Sequence, residues 1–354
     1  MLLDHVLSLV AMHAFRLFKL PDRALRNVLL TMNYMELVHF SMVTKRTKKA
    51  VTKLKLPALM IKKSIFDVVC IDILFNDGTA LFLEFHRVLN HWHPGKPRIK
   101  LENVELSHVD VRFGILIDGD IEPEGAERGT WRWGNYTYKK WVQHLLNLFD
   151  YAEIDKFDFY AGSERFDVGS LLANLYGNRT NRFSIASGCE NGHHLEIHRA
   201  LKPLNNFVMS RVPYPNRVEG YHLISENIEN LSFRRDSNLT LDEILLLNCV
   251  GLVISKVSSF STQDINRYLK LWSKGANRRL EYLHVCLPDG SVLEKNAVFK
   301  GVKYQTVSNE KEELFENVSK RVALRGGFEV WAKSGRRANI QLEGTNTFQM
   351  CVWP

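Results

Sequence analysis

Two histidine clusters are the residues of this sequence that come nearest to metal-binding chemistry. The first is His91-x-His93, in a Trp-Pro-Gly turn, and the second is His193-His194 with His198. The i, i+1, i+5 spacing of the second does not place three imidazoles on one helix face. Neither cluster has cysteine or acidic residues at metal-ligand spacing. We therefore predict no metal ligands among them.

The other residue types that catalyse reactions lack the spacing that catalysis needs. No glycine-rich phosphate loop and no Gly-x-Ser-x-Gly elbow is present. The acids of 118–124 lack the bidentate glutamate of a calcium loop. We predict no catalytic residue and no cofactor. The alternative is an enzyme with an unfamiliar fold, which a deep cleft containing a carboxylate or histidine of perturbed pKa would support.

The cysteines indicate a reducing compartment. They are five, far apart, and form no CxxC pair, which argues against a zinc site or a disulfide framework. Reduced thiols favour the cytoplasm, the nucleus or both. The five are Cys70, Cys189, Cys249, Cys286 and Cys351.

Composition and charge predict a globular chain with a basic amino-terminal end. The 354 residues are 45% hydrophobic and 24% charged, which is typical of two or three globular units. No run of about 18 uncharged apolar residues occurs, so we expect no membrane span. The net charge is +8, and residues 1–60 hold ten basic against three acidic residues. The basic excess of this segment predicts either a surface that binds an acidic partner or a basic helix face exposed to solvent. Because no aromatic residues are interleaved with the basic ones, we expect no binding to nucleic acid.

The first sixty residues have the spacing of three short helices. Leu20-Pro21-Asp22 predicts a helix start with Asp22 as cap, and Leu25, Val28, Leu29 and Met32 form one apolar stripe. The next segment, 35–43, is apolar on more than one face, and Thr44 can cap a third, basic helix. About 40 residues seldom close a core alone. A partner, or the domain that follows, must cover the remainder.

This segment resembles an F-box over residues 15–56. The motif is carried by Leu20-Pro21, Ala24-Leu25 with Val28-Leu29, Glu36-Leu37, Phe40-Ser41 and Val43 to Arg46, although Thr47 and Lys48 replace the aromatic that many F-boxes carry next. The resemblance implies docking to a Skp-type linker protein and, through it, to a cullin. The implied linker contacts are Leu20, Pro21, Leu25, Val28, Leu29, Leu37, Phe40, Val43 and Lys45. The alternative is that these helices only cap the next domain.

One pattern, apolar-x-x-apolar-x-apolar, recurs through the middle of the chain. Its middle members are 21 to 31 residues apart and are Phe157, Phe183, Phe207, Leu231, Leu252 and Leu283. Such periods predict a leucine-rich-repeat-like α/β solenoid, in which each repeat gives one strand to a parallel sheet. Capping sequences at 240–243 and 261–264 predict helices between strands.

The positions between the buried members predict a protein-binding face. Side chains alternate along a strand, so these residues share the outward side of the sheet. That face binds a target or is merely solvated. Its members are Asp158, Tyr160, Ser184, Val208, Ser210, Ser232, Arg234, Val253, Ser255 and His284.

The predicted fold class is α/β, with five segments in order. They are a helical extension (1–14), the three-helix F-box (15–56), a strand-rich part (57–150), the repeat region (151–290) and carboxyl-terminal strands (291–354). In the third segment the turn at 76–79 predicts a hairpin and 137–149 a helix. The last segment reads as an antiparallel meander that we expect to close the sheet.

The later part of the chain resembles an F-box-associated domain, of the type expanded in nematodes. The resemblance is carried by 239–245, 263–272, 278–283, 326–331 and 351–353. It implies a non-enzymatic substrate receptor of an SCF-type ubiquitin ligase with an unknown protein target. The alternative is a repeat-type interaction scaffold without a ubiquitin role.

Overall fold

In a computed structural model, the chain folds into two compact units. Unit 1 comprises Met1–Asp158 with Gly162–Thr180, and unit 2 comprises Phe159–Ala161 with Asn181–Pro354. The structure describes residues 17–87, 97–101, 104, 106–117, 120–121, 126–132, 136–151, 154–173, 182–186, 189, 191–200, 205–209, 228–234, 239–256, 258–317 and 320–353. The predicted extension 1–14 and the residues His91, His93 and Ser210 lie outside these ranges.

Unit 1 begins with one turn of 3-10 helix, Leu17–Lys19, and three short helices. These are α1 (Asp22–Leu29), α2 (Tyr34–Val43) and α3 (Lys45–Thr52). Asn33 caps α2 in a reciprocal pair with Glu36, and Thr44 caps α3 as predicted. The predicted cap of α1 is wrong: Pro21 precedes the helix, and Asp22 is its first residue without a capping hydrogen bond.

The rest of unit 1 is an antiparallel sheet covered on one face by helix α4. The hairpin predicted around 76–79 is confirmed, as is the helix predicted at 137–149. The elements are β1 (Ala58–Ile65), β2 (Val69–Phe75), β3 (Thr79–Arg87), β4 (Leu106–Ile117), β5 (Asp120–Ile121), β6 (Glu127–Trp131), α4 (Tyr138–Leu148), β7 (Lys156–Phe159, its last residue in unit 2) and α5 (Val168–Ala173).

The core of unit 1 lies between this sheet and helices α2 and α4. The rings of Tyr34 and Phe75 stack with their centroids 3.6 Å apart, and Phe85 meets Trp141 edge to face at 5.9 Å. Val38, from the middle of α2, is completely buried. Helix α2 therefore shares its core with residues of the following segment.

Unit 2 is built on a sheet with parallel and antiparallel strands. The parallel strands are β8 (Arg182–Ile185), β9 (Asn206–Met209), β10 (Asn230–Phe233), β11 (Gly251–Ser255) and β12 (Tyr282–Cys286). The helices are α6 (Asn191–Ala200), α7 (Leu241–Leu246), α8 (Thr262–Ser273) and α9 (Lys295–Val298). The final strands are β13 (Gln305–Glu316), β14 (Arg321–Trp331), β15 (Arg337–Glu343) and β16 (Thr347–Val352).

The parallel register predicted from the repeated pattern is observed within unit 2. Phe183 pairs with Phe207, Phe207 with Leu231, Leu231 with Leu252, and Leu252 with Leu283. These side chains form one buried row. A leucine-rich-repeat-like solenoid is not shown, because helices α7 and α8, with 6 and 12 residues, make unequal connections.

The carboxyl-terminal meander is present, but it does not close the sheet. Strand β16 pairs antiparallel with β12, and β15, β14 and β13 follow in order. The meander therefore covers the edge of β12 and ends in a new edge at β13. Among the described residues, no helix combines the length and the apolar character needed to cross a membrane.

The register makes Leu252 a test of the core of unit 2. We expect Leu252→Ala to lower the free energy of unfolding by roughly 2–5 kcal/mol, because truncation leaves a cavity in the middle of the sheet. Ser232→Ala, on the opposite face, should change it by about 0.5 kcal/mol or less. Chemical denaturation measures both. Equal effects of the two substitutions would contradict the observed orientation of these strands.

Candidate protein-docking surfaces

The 3-10 turn and helices α1 and α3 line an apolar groove with a basic rim on unit 1. Its volume is about 530 Å³. Apolar side chains form the floor and cationic ones much of the rim. The lining residues are Phe18, Leu20, Asp22, Leu25, Arg26, Leu29, Arg46, Lys49, Ala50, Lys53 and Leu54. We call this the helical groove.

The 3-10 turn is held against α3 by Phe18 and Arg46. The Arg46 guanidinium lies 4.5 Å from the centre of the Phe18 ring and donates a hydrogen bond of 3.1 Å to the Phe18 carbonyl. Phe18 also stacks on Phe40, with ring centroids 6.4 Å apart. Sequence reasoning missed Phe18, Arg46 and Lys49 as groove residues. The signal for Arg46 and Lys49 was present in the basic excess of α3.

The structure separates the nine predicted linker contacts into an accessible and a buried group. Leu29 and Leu37 are 1% and 2% exposed, so their side chains offer almost no surface to a partner. Val28 and Val43 are 38% and 48% exposed. Pro21 and Lys45 are also exposed, and Leu20, Leu25 and Phe40 are half-buried.

The opposite side of α2 is fixed to unit 1 by polar contacts as well as by Tyr34. The Ser41 hydroxyl donates to the Val38 carbonyl at 2.6 Å, so His144 donates its Nε2–H to Ser41 Oγ at 2.7 Å. Burial lowers the pKa of His144 to about 4, which keeps the imidazole neutral near pH 7. The Asn33 amide also donates to the Glu127 carboxylate at 2.8 Å. These contacts hold the helical groove in a fixed orientation on unit 1.

A second surface is the sheet face of unit 2 that the sequence predicted for target binding. Ser184, Val208, Ser232, Val253 and His284 pair across neighbouring strands, so the structure brings these five into one row. Val208 is 4% exposed, whereas the other four are half-buried.

The remaining predicted members differ in their surroundings. Arg234 is exposed, and Tyr160 and Ser255 are half-buried. Asp158 does not belong to an exposed face. It lies in unit 1, 3% exposed, and its Oδ2 is 2.9 Å from Lys156 Nζ and 3.5 Å from Lys62 Nζ. A carboxylate so enclosed and so paired has a structural role.

The hairpin of β13 and β14 folds over one end of this sheet face. Phe315 and Leu324 of the hairpin are buried against Tyr282 and Cys351, and Val253 packs against the same cluster. Backbone at Gly326 and Gly327 has φ of +66° and +100°, and the pairing of β13 with β14 shifts register beside them. The two glycines permit the bend that brings the hairpin over the face. This cover was not predicted.

Burial governs the chemistry of the covered end. Burial raises the pKa of Tyr282 to about 12. Burial also lowers the pKa of His284, and the positive charge of Lys320 lowers it further.

Elsewhere in the chain, burial raises the pKa of the Cys70 and Cys249 thiols to about 12. These thiols stay protonated near pH 7, so neither is an activated nucleophile.

Two neighbouring residues of α1 separate folding from docking. Leu29→Ala should lower the free energy of unfolding by roughly 2–5 kcal/mol, because Leu29 fills the core beneath the helical groove. Val28→Ala should change it by about 0.5 kcal/mol or less, since Val28 faces solvent. Chemical denaturation of the full chain measures both. A large loss for Val28→Ala would mean that this side chain is not free for a partner.

The Ser41–His144 contact predicts a pH-dependent stability. The pKa of His144 is lowered from 6.5 to about 4 in the folded chain, so the unfolded chain takes up a proton first as the pH falls. We expect the free energy of unfolding to decrease between pH 6.5 and pH 4, and less steeply in His144→Gln. Denaturation across this range measures it. Identical slopes for the two proteins would contradict the assignment.

Comparison with known protein families supports both parts of this description. A family model described as "F-box domain" matches residues 17–59, which contain the helical groove, and one described as "F-box associated" matches residues 221–285, which end on β12. No curated protein and no solved structure matches the chain. The chain therefore carries one segment that is similar to an F-box domain and a later segment that is similar to an F-box-associated domain.

Proposed function

We propose that this chain is the substrate-receptor subunit of an SCF-type ubiquitin ligase. F-box domains bind Skp-type linkers, and a linker connects the receptor to a cullin. The observation that carries the proposal is the helical groove, with its apolar floor and basic rim. A target held by unit 2 would then be placed near the ubiquitin-conjugating machinery.

The helical groove has the chemistry of a protein-docking site. Its floor is formed by half-buried Leu20 and Leu25, which a partner's apolar side chains would cover. Its rim carries Arg26, Lys49 and Lys53. An acidic partner surface would complement this rim, speed association and weaken binding as salt is added. Of the predicted linker contacts, we propose only the accessible ones. Leu37 is left out because its side chain lies in the core.

The receptor needs no catalytic group of its own in this role. It acts by raising the effective concentration of the target's lysines near the transferring enzyme. Helix α2 is fixed to unit 1 through Tyr34, Ser41 and Asn33, so a linker bound at the helical groove is held rigidly on unit 1. Rigid attachment limits the entropy lost on assembly.

For target binding we propose the part of the unit 2 sheet face that the hairpin leaves open. Ser184 and Ser232 lie on β8 and β10, Arg234 directly follows β10, and none of the three belongs to the Tyr282–Phe315 cluster. They offer hydroxyl groups and one cation to a protein ligand. Phe315 and Leu324 close the other end, so only the uncovered strands provide a continuous surface.

The alternative is an interaction scaffold without a ubiquitin role. Removal of residues 1–56 does not discriminate the two, because Val38 and Tyr34 belong to the core of unit 1. Such a truncation would expose that core under either function. Point substitutions in the helical groove of the full chain are the sharper test.

The test is the affinity of the purified full chain for a purified Skp-type linker. We expect Leu25→Glu with Lys49→Glu, both in the helical groove, to weaken binding about 100-fold or more, because the pair puts a carboxylate in the apolar floor and reverses one charge of the basic rim. Titration calorimetry gives the dissociation constants, and a pull-down of the cullin by the wild-type chain and linker reports assembly.

The matched control is Ile115→Glu, since Ile115 is 58% exposed on strand β4. It should bind the linker as the wild-type chain does. Wild-type affinity in the double variant would show that the linker binds elsewhere. If the unmodified chain binds no Skp-type linker at all, the scaffold function is favoured instead.

A further inference from the structure

Two histidines far apart in sequence meet on the outer sheet face of unit 1. His86 on β3 and His108 on β4 are directly paired across the strands, and their rings stack with centroids 4.4 Å apart. Side chains alternate along a strand, so Glu84 and Asp110, two residues away, share this face. The topology thus gathers two imidazoles and two carboxylates at one place.

The nitrogen and oxygen atoms of this cluster converge. His86 Nε2 lies 3.2 Å from Asp110 Oδ2 and 3.2 Å from Glu84 Oε1, while His108 Nε2 lies 3.7 Å from Asp110 Oδ2. Ligand atoms of His86, His108 and Asp110 all lie within 4.8 Å of one another. Metal–ligand bonds of about 2.0–2.2 Å at tetrahedral angles place ligand atoms about 3.3–3.6 Å apart, which is close to these separations.

Neighbouring hydroxyl groups orient two of the four side chains. Thr130 Oγ1 donates to Asp110 Oδ1 at 2.7 Å, which leaves Oδ2 directed at the imidazoles. Ser107 Oγ lies 2.9 Å from His108 Nδ1, so the other ring nitrogen, Nε2, faces the cluster. His86 Nε2 is shielded from solvent and makes no hydrogen bond. Such outer contacts are typical of histidine and carboxylate metal ligands.

We propose that His86, His108 and Asp110, with Glu84 beside His86, form a binding site for a divalent transition-metal ion, with Zn²⁺ as the best fit. Two imidazoles and carboxylate oxygens suit Zn²⁺ better than Ca²⁺ or Mg²⁺, which take oxygen ligands. The side chains of His86 and His108 are 26% and 31% exposed, so the stacked rings have room to splay apart around an ion. The site is open on its solvent side.

The site borders a cleft of unit 1. This cleft has a volume of about 790 Å³, and Glu84, Asp110 and Thr130 contribute to its lining together with Arg112 and Arg128. A bound cation would offset the charges of Glu84 and Asp110, and because Lys62 and Asp72 of the same cleft pair with each other, the charges of Arg112 and Arg128 would remain. Metal binding would therefore make this face more positive and join β3 to β4.

The competing explanation for the close approach of these side chains is that a proton on His86, and not a metal ion, draws the carboxylates together. A protonated His86 would form ion pairs with Glu84 and Asp110 through the same short distances. The two explanations differ in whether the full chain binds a metal ion saturably. Calorimetric titration of the tag-free full chain with ZnCl₂, repeated with CoCl₂ and visible spectroscopy, separates them.

We expect one Zn²⁺ per chain, lost in His86→Ala with His108→Ala and at least tenfold weaker in Asp110→Asn. The Asp110→Asn variant keeps a hydrogen-bond acceptor for Thr130, so it provides an independent test if the double histidine variant misfolds. Circular dichroism checks the fold of each variant. The matched control is His91→Ala with His93→Ala, which should bind as the wild-type chain does. Absence of saturable binding, or its retention without His86 and His108, would overturn the proposal.

Discussion

The structure depends on how helix α2 is covered. Its sequence, Tyr34–Val43, is apolar around most of its circumference, and two neighbouring short helices cannot bury it. The sheet and α4 of unit 1 cover one side through Val38, Tyr34 and Ser41. The half-buried Phe40 on its other side stacks on Phe18 of the helical groove. Unit 1 buries only part of the apolar surface of these helices, and the part that stays accessible forms the proposed docking surface.

The patterns with local causes could be predicted from the sequence. Thr44, Thr240 and Ser261 all cap helices, because a side-chain oxygen that accepts from the backbone N–H three residues later fixes the start of a helix. The row from Phe183 to Leu283 followed from a repeated apolar spacing and the pleat of parallel strands. An F-box was recognisable for the same reason, since its motif is compact in sequence.

The features that were missed arise from contacts between distant residues. His86 and His108 meet only because β3 and β4 pair in one register, and no local spacing encodes that pairing. The hairpin over Tyr282 depends on a bend at Gly326 and Gly327. The stacking of Tyr34 on Phe75 joins α2 to a strand that follows it in the chain. In each case tertiary packing, and not local preference, decides which side chains remain available to partners.

Hydrogen–deuterium exchange of the full chain, with and without a purified Skp-type linker, tests the central claim most directly. If the helical groove is the docking site, linker binding should slow amide exchange in 17–30 and 44–54, where the accessible helices leave backbone groups open to water. Exchange in strands β13 and β14 should not change. Protection confined to unit 2, or no protection in α1 and α3 at saturating linker, would contradict the account.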